Sequence, residues 1–323
     1  MTPQPPIVNC NVDFSVTMTK LHYEGYGNEP ATVLVREKLG SANVYAKNAQ
    51  SILNKATGFI NAYDFTLNPY RGCQYGCSYC YAAAFSPNSK MRQDWGNWVI
   101  IKQNAAEVLA KELANWDKKH PGKPASIYMS SVTDPYQPIE AKQQLTRQLL
   151  EVMIPYQPTL VIQTRSPMIT RDIDILRQFQ RLRINMSIPT GSESVRKDFE
   201  TRSPSIKARL HAIGTLKYSI PCDDNHEARF SVTVTPLLPT LPDEQAYFIS
   251  RLEVVDRVVV QEFHASNGRS LVASTREEAL VLKRKYAWWY DDEEKSYQQF
   301  MAKLACLLAD VQIMEGKEGF GYE

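Results

Sequence analysis

Short apolar runs alternate along the chain with longer amphipathic stretches, and from residue 62 onward the pattern reads strand, helix, strand, as a parallel sheet requires. Residues 62–67 (AYDFTL) predict a first strand and residues 126–130 a second. Between them a helix follows Asn104, whose side chain can cap it with Glu107 three positions on. Leu109, Leu113 and Trp116 then repeat at helical spacing until His120-Pro121-Gly122 stops it. The cycle continues with helix 140–153 and strand 159–163, helix 171–182 and strand 184–188, helix 205–218 and strand 229–235, helix 243–254 and strand 257–262. Ile206, Leu210, Ile213 and Leu216 mark the apolar face of helix 205–218. These β/α units predict an α/β fold, a partial (β/α)6 barrel open on one side, with reactive groups beyond the C-terminal ends of its strands.

Residues 1–58 lack clear periodicity apart from a turn signal at Gly25–Pro30 and an apolar stretch at Thr32–Val35, and are expected as an N-terminal extension. Residues 59–273 would form the barrel and 274–323 a C-terminal helical extension. Two helices are expected over 274–314, one ending in Trp288, Trp289 and Tyr290, the other carrying Tyr297, Phe300, Leu304, Leu308 and Val311. Aromatic residues at helical spacing read as core before they read as a substrate platform. The basic run Lys283-Arg284-Lys285, with Glu277 and Glu278 nearby, reads as a solvated face.

Charge changes the picture only by exclusion. Lys plus Arg (37) nearly balance Asp plus Glu (35), a net +2, so no global basic field of the kind that drives non-specific nucleic-acid binding is present, while a local basic groove remains open. The opening MTPQPPIVNC has neither a cationic start nor a hydrophobic stretch, and nowhere do about 18 apolar residues run together. A soluble, cytoplasmic protein without membrane contact is the expectation.

The candidate chemistry lies in the cysteines. Of the six in the chain, Cys73, Cys77 and Cys80 form a C-x3-C-x2-C cluster, with Gly72 and Gly76 letting the backbone curl around a soft metal centre. A closed zinc site needs a fourth ligand and usually paired C-x2-C motifs or spaced histidines, which are missing here. Electron-transfer iron–sulfur proteins also normally supply four cysteines. Three thiolates on a 4Fe-4S cluster leave one iron open. Cys222, at a helix-to-strand connection away from the strand C-termini, reads as a structural thiol.

This spacing resembles the signature of the radical S-adenosylmethionine superfamily. The stretches Ser51–Lys55, NPYRGCQYGCSYCYA and Ser131–Pro138 (SVTDPYQP) further resemble the spore photoproduct lyase-related family, over roughly residues 51–262. The resemblance implies a 4Fe-4S cluster on Cys73, Cys77 and Cys80, with S-adenosylmethionine bound at the open iron. Reductive cleavage of that cofactor releases a 5′-deoxyadenosyl radical, the cofactor doing the chemistry and the protein the orientation. It also implies a one-electron donor of the flavodoxin or ferredoxin type and a substrate biased toward a nucleic-acid base or DNA photolesion.

By the same resemblance Tyr79 lies against the adenine, and Thr133 and Ser187 hold S-adenosylmethionine. Arg165 stands where the lyase has a lysine, keeping the charge with a different geometry. Tyr81 serves the radical relay, and Ser131 replaces the cysteine that would return a hydrogen atom, a role for which a serine O–H bond is too strong. Glu200 and Arg202 either contact the cofactor or substrate, or cap the next helix. Asp134 fixes the cofactor loop or simply initiates a turn. Arg71 either tunes the cluster or pairs with an acid, and His264 is a candidate contact on the active face. Two alternatives remain: the same chemistry on a small metabolite or peptide, or a non-catalytic iron–sulfur or zinc redox sensor.

Overall fold

The structure, a computed structural model, describes residues 33–263 and 276–323. Cys10, the Gly25–Pro30 turn and His264 lie outside the described residues. A side sheet comprises the antiparallel hairpin β1 (Val33–Leu39) and β2 (Ala42–Lys47), with β6 (Trp98–Lys102) parallel to β2 and β5 (Tyr70–Arg71) antiparallel to β6. The main sheet joins, in spatial order, β3 (Leu53–Lys55), β4 (Phe65–Leu67), β7 (Ser126–Met129), β8 (Thr159–Thr164), β9 (Arg181–Ser187), β10 (Glu227–Val234), β11 (Arg257–Val260) and β12 (Gln312–Glu315). Every neighbouring pair from β4 to β12 is parallel, and only β3 runs the other way at the edge. The expected strands are β4 and β7 to β11, curved into a partial barrel.

Four local expectations shift. Strand β9 starts at Arg181 because Leu182 belongs to its alternating outer face with Ile184 and Met186, so the preceding α-helix is only Ile173–Leu176. Helix 140–153 breaks at Gln144, whose φ is 48°, leaving Glu140–Gln143 and Leu145–Met153. The buried Glu140 carboxylate draws the chain in there, accepting from the Thr146 amide at 3.0 Å and from the Tyr70 hydroxyl. Asn104 does not cap its helix; its amide pairs instead with both backbone groups of Ala49, at 2.7 and 3.0 Å. The last expected helix ends at Leu307, and residues 312–315 add β12 to the sheet.

The strand faces divide the molecule. Leu160, Ile162, Leu182, Ile184, Phe230, Val232 and Val258 pack outward against Leu109, Leu149, Ile213, Leu216 and Ile249 of the surrounding helices in one core. Each such buried side chain contributes about 1.5–3 kcal/mol. The C-terminal helices join it through Trp289, Phe300 and Leu304, so that aromatic stripe is core. Lys283 is not a solvated member of its run: it pairs with Glu293 at 3.0 Å and lies over the Tyr290 ring.

The alternate positions of β9 and β10 face inward and are polar, while Val161 of β8 and Val259 of β11 are apolar. Gln163 donates across β9 to Thr233 at 2.8 Å and accepts from the Tyr128 hydroxyl at 3.0 Å. Deeper, toward the strand N-termini, Arg183 and Arg257 are both 1% exposed. Residues 316–323 close that end: Arg183 donates to the Tyr322 carbonyl (2.7 Å), Arg257 to the Gly321 carbonyl (2.9 Å) and Tyr63 to the Phe320 carbonyl (2.7 Å). The Tyr322 ring lies under Arg181, and Glu323 pairs with Arg181 and Arg229.

Candidate active site

The cysteine loop leaves the C-terminal end of β4. Gly72 and Gly76 have φ of 82° and 59°, in the region that favours glycine. A methyl group at Gly72 would stand 2.6 Å from the Trp98 ring, and one at Gly76 would stand 2.9 Å from the Cα of Gly96, so the loop is pressed flat against the side sheet. The segment after β7 grips the loop from behind. The Thr133 hydroxyl donates to the Gly72 carbonyl at 2.7 Å, and the fully buried Gln137 amide reaches the same oxygen at 3.2 Å. Gln137 also accepts from the Gln74 amide N–H at 2.9 Å, and Gln74 from that of Ile139 at 2.7 Å. Asp134 accepts from the Thr164 hydroxyl (2.7 Å) and from the Arg165 and Tyr136 amides (2.8 and 2.9 Å), while burial pushes its carboxyl pKa up.

Cys73 and Cys77 are buried and Cys80 half-buried. Burial pushes the Cys77 thiol up to about 12, Cys73 well above its ordinary range and Cys80 in the same direction, which disfavours the bare thiolates. Among the described residues no three His, Cys, Asp or Glu side chains close around a single metal ion.

Beside the thiols lies a line of charges. The Arg165 guanidinium is 3.0 Å from the Cys77 sulfur, 3.1 Å from the Tyr79 hydroxyl and in contact with Glu200. The Glu200 carboxylate is fully buried: one oxygen accepts from Tyr79 at 2.5 Å and from Arg165, the other from Arg209 at 2.6 Å. Burial raises its pKa, but Arg209 and Arg165 outweigh this and hold it below the usual range. Arg209 is itself fully buried and donates to the Ser187 carbonyl at 3.0 Å, fixing the end of β9.

Of the residues singled out in the sequence, Cys77, Tyr79, Arg165 and Glu200 are thus in direct contact, with the Ser187 backbone joined through Arg209. Thr133 and Asp134 brace the loops behind. Arg202 points to the Gly96 carbonyl (2.5 Å) and Asn97 (2.8 Å), over the Gly76–Gly96 contact. Tyr81 and Ser131 form a second group: the Tyr81 hydroxyl donates to the Ser131 carbonyl, and Asn68 donates to the Ser131 hydroxyl at 3.4 Å. The Arg71 guanidinium donates to the Phe85 carbonyl at 3.2 Å. Cys222 is exposed, in the connection before β10.

Three contributors escaped the sequence reading. Arg209 lies on the buried face of helix Ile206–Ser219, with Ile206, Ala212, Ile213 and Leu216, a place that Leu210 was expected to fill. A charged residue within an apolar stripe was the available signal. Arg276 reaches the Cys77 carbonyl at 3.4 Å, bringing the C-terminal segment onto the cysteine loop. Asn185, fully buried on β9, is close to the Tyr128 hydroxyl, yet neither amide atom has a well-formed hydrogen bond among the described residues.

Comparison with known proteins bears on the fold and the family. A spore photoproduct lyase variant with bound AdoMet and dinucleoside spore photoproduct superposes with a TM-score of 0.58 over 90% of this chain and 87% of that one, at 14% identity, a likeness of fold. An uncharacterized protein of Methanocaldococcus jannaschii is 34% identical over 179 residues, covering 55% of this chain and 62% of its own length. An uncharacterized protein of Mycobacterium tuberculosis is 27% identical over 207 residues, 60% of this chain and 56% of its own. The chain therefore matches less than two thirds of these relatives' length. Residues 67–252, more than half of the chain, match the Radical SAM superfamily, whose enzymes use a 4Fe-4S cluster and S-adenosylmethionine, and the chain belongs to that superfamily.

Proposed function

We propose that the protein is a radical S-adenosylmethionine enzyme in which Cys73, Cys77 and Cys80 hold a 4Fe-4S cluster. The observation that carries this reading is the loop itself. Three thiols, two buried and one half-buried, sit beyond the C-terminal end of β4, braced by Thr133 and Gln137 and faced by the Arg165 guanidinium. The donor set fits: thiols that do not meet at one point suit a cubane, whose corners each take one ligand, better than a lone zinc ion. When bound, the cluster and S-adenosylmethionine supply an electron transfer that yields a carbon radical able to abstract hydrogen from a substrate. Arg165 would grip the cofactor's carboxylate and Tyr79 its adenine.

The barrel, residues 59–273, would carry this chemistry between extensions at 1–58 and 274–323. A donor of the flavodoxin or ferredoxin type would reduce the cluster, and a reducing cytoplasmic compartment suits its thiolates. For the substrate, the likeness in fold to a lyase bound to dinucleoside spore photoproduct favours a nucleic-acid base or photolesion. A small metabolite or peptide is the second reading. Ser131, holding the Tyr81 hydroxyl on its carbonyl, leaves tyrosine as the hydrogen-bearing group where a thiol would be needed.

The test is anaerobic reconstitution with iron and sulfide, then dithionite reduction with S-adenosylmethionine. Formation of 5′-deoxyadenosine, with a reduced-cluster electron paramagnetic resonance signal perturbed by the cofactor, is expected. A metal site silent to the cofactor would leave a redox sensor or zinc protein instead. Dinucleoside photoproduct, single-stranded DNA and a metabolite panel then compete to accelerate cofactor cleavage.

A further inference from the structure

Arg209 is a costly residue to bury. It stands on the apolar face of helix Ile206–Ser219, is fully buried, and takes its charge out of water at a cost that only a matched partner can offset. Its partner is the equally buried Glu200, and its remaining donors go to the carbonyls of Ser187 (3.0 Å) and Pro204 (3.0 and 2.8 Å). Four N–H bonds, to Ser187 at the end of β9 and to Glu200 and Pro204 of one interhelical connection, fix the guanidinium rigidly. Arg209 nevertheless does not contact Cys77, Tyr79 or Arg165 in the hydrogen-bonding scheme; it reaches them only through Glu200.

Charge counting shows what it does there. Arg165 and Glu200 alone would neutralise each other, giving a closed ion pair at the side of the cysteine loop. With Arg209 bound to the second carboxylate oxygen, the three side chains carry one net positive charge. That charge lies at the end facing the Cys77 sulfur, because Arg209 is enclosed and Arg165 is the member that borders the loop.

We propose that Arg209 is a positioning residue that keeps Arg165 electrostatically available: by neutralising Glu200 from behind, it leaves the Arg165 charge free to bind the carboxylate of a ligand at the cysteine loop. This deepens the radical S-adenosylmethionine reading and rests on it. Glu200 then acts as a buried hinge between two cations, with Tyr79 held on the same oxygen as Arg165.

The experiment uses the cluster-reconstituted full chain and measures S-adenosylmethionine affinity per loaded cluster, by equilibrium binding and by the cofactor-dependent change in the reduced-cluster spectrum. Iron content and circular dichroism are controls on each variant. Arg209→Met should weaken binding at least 10-fold with iron content unchanged. The double variant Glu200→Gln/Arg209→Met removes one charge of each sign and restores the net positive charge at Arg165, which then faces the cysteine loop without a competing carboxylate, so binding should return to within about 3-fold of wild type. Wild-type affinity in Arg209→Met, or a folded double variant still more than 10-fold weak, would overturn the proposal. If Arg209→Met does not fold, the double variant alone decides by the same limits. Failure of the wild-type protein itself to bind S-adenosylmethionine would instead remove the radical-enzyme reading on which the proposal stands.

Discussion

Both ends of the barrel bury arginines, and they satisfy them in opposite ways. At the strand N-termini, Arg183 and Arg257 donate to backbone carbonyls of residues 319–322 and to Ser231 and Gln312, Arg257 Nη2 has no hydrogen-bond partner among the described residues, and none of these bonds goes to a buried carboxylate. At the strand C-termini, Arg209 and Arg165 share the Glu200 carboxylate, and one guanidinium continues to a sulfur atom. Carbonyl oxygens are fixed partners that close a structure. A carboxylate between two cations leaves one of them partly uncommitted, which is what a binding end needs. The same residue type thus seals one mouth and charges the other.

The sharpest way to break this comparison is to remove the seal. Deleting residues 316–323 should cost more than about 4 kcal/mol, since each charge-assisted bond lost is worth about 1.5–3 kcal/mol. Urea unfolding measures it, and a loss under about 1 kcal/mol would show the far-end arginines to be independent of the tail. Next, Gly72→Ala tests whether the binding end is equally rigid. A side chain at φ 82° that meets Trp98 at 2.6 Å should cost about 2–3 kcal/mol and lower iron uptake, and full uptake at native stability would refute the flattened loop.

A smaller effect concerns Lys102, which donates to the Asn68 carbonyl at 2.7 Å and whose pKa burial lowers to about 8 from 10.5, with Arg71 adding to the shift. The folded state disfavours its charged form, so the penalty is full below about pH 8 and fades as pH rises toward 10.5. Stability of wild type relative to Lys102→Met should therefore rise across that window, by on the order of 1–3 kcal/mol; a flat difference would count against it. Smallest of all, Tyr81→Phe removes a hydroxyl on a 40% exposed residue and should change stability by less than about 1 kcal/mol. Substrate turnover should fall much further, and unaltered turnover would take Tyr81 out of the chemistry.

How much of this the sequence disclosed follows from the range of the interactions involved. The parallel strands were legible because each is a local apolar run between turn signals, and the cysteine loop because its ligands lie within eight positions of one another. Strand β9 was placed late because Leu182 fits a helical and an alternating period equally. The side sheet escaped because it depends on pairings such as Asn43 with Trp98, 55 residues apart. β12 is a half-exposed edge with little alternation to read. In the site, Tyr79, Arg165 and Glu200 were found by likeness to a family, whereas Arg209 carries no motif and emerges only when helix Ile206–Ser219 is rotated into its packed orientation.

The grip of Thr133 and Gln137 on the Gly72 carbonyl bears on how such a protein is made. A chelating loop shaped entirely by its own polypeptide can be completed during synthesis, and iron and sulfide then arrive at a finished socket. Folding need not wait on loading, and loss of the inorganic part, under oxygen or a chelator, should leave a reloadable shell rather than a collapsed chain.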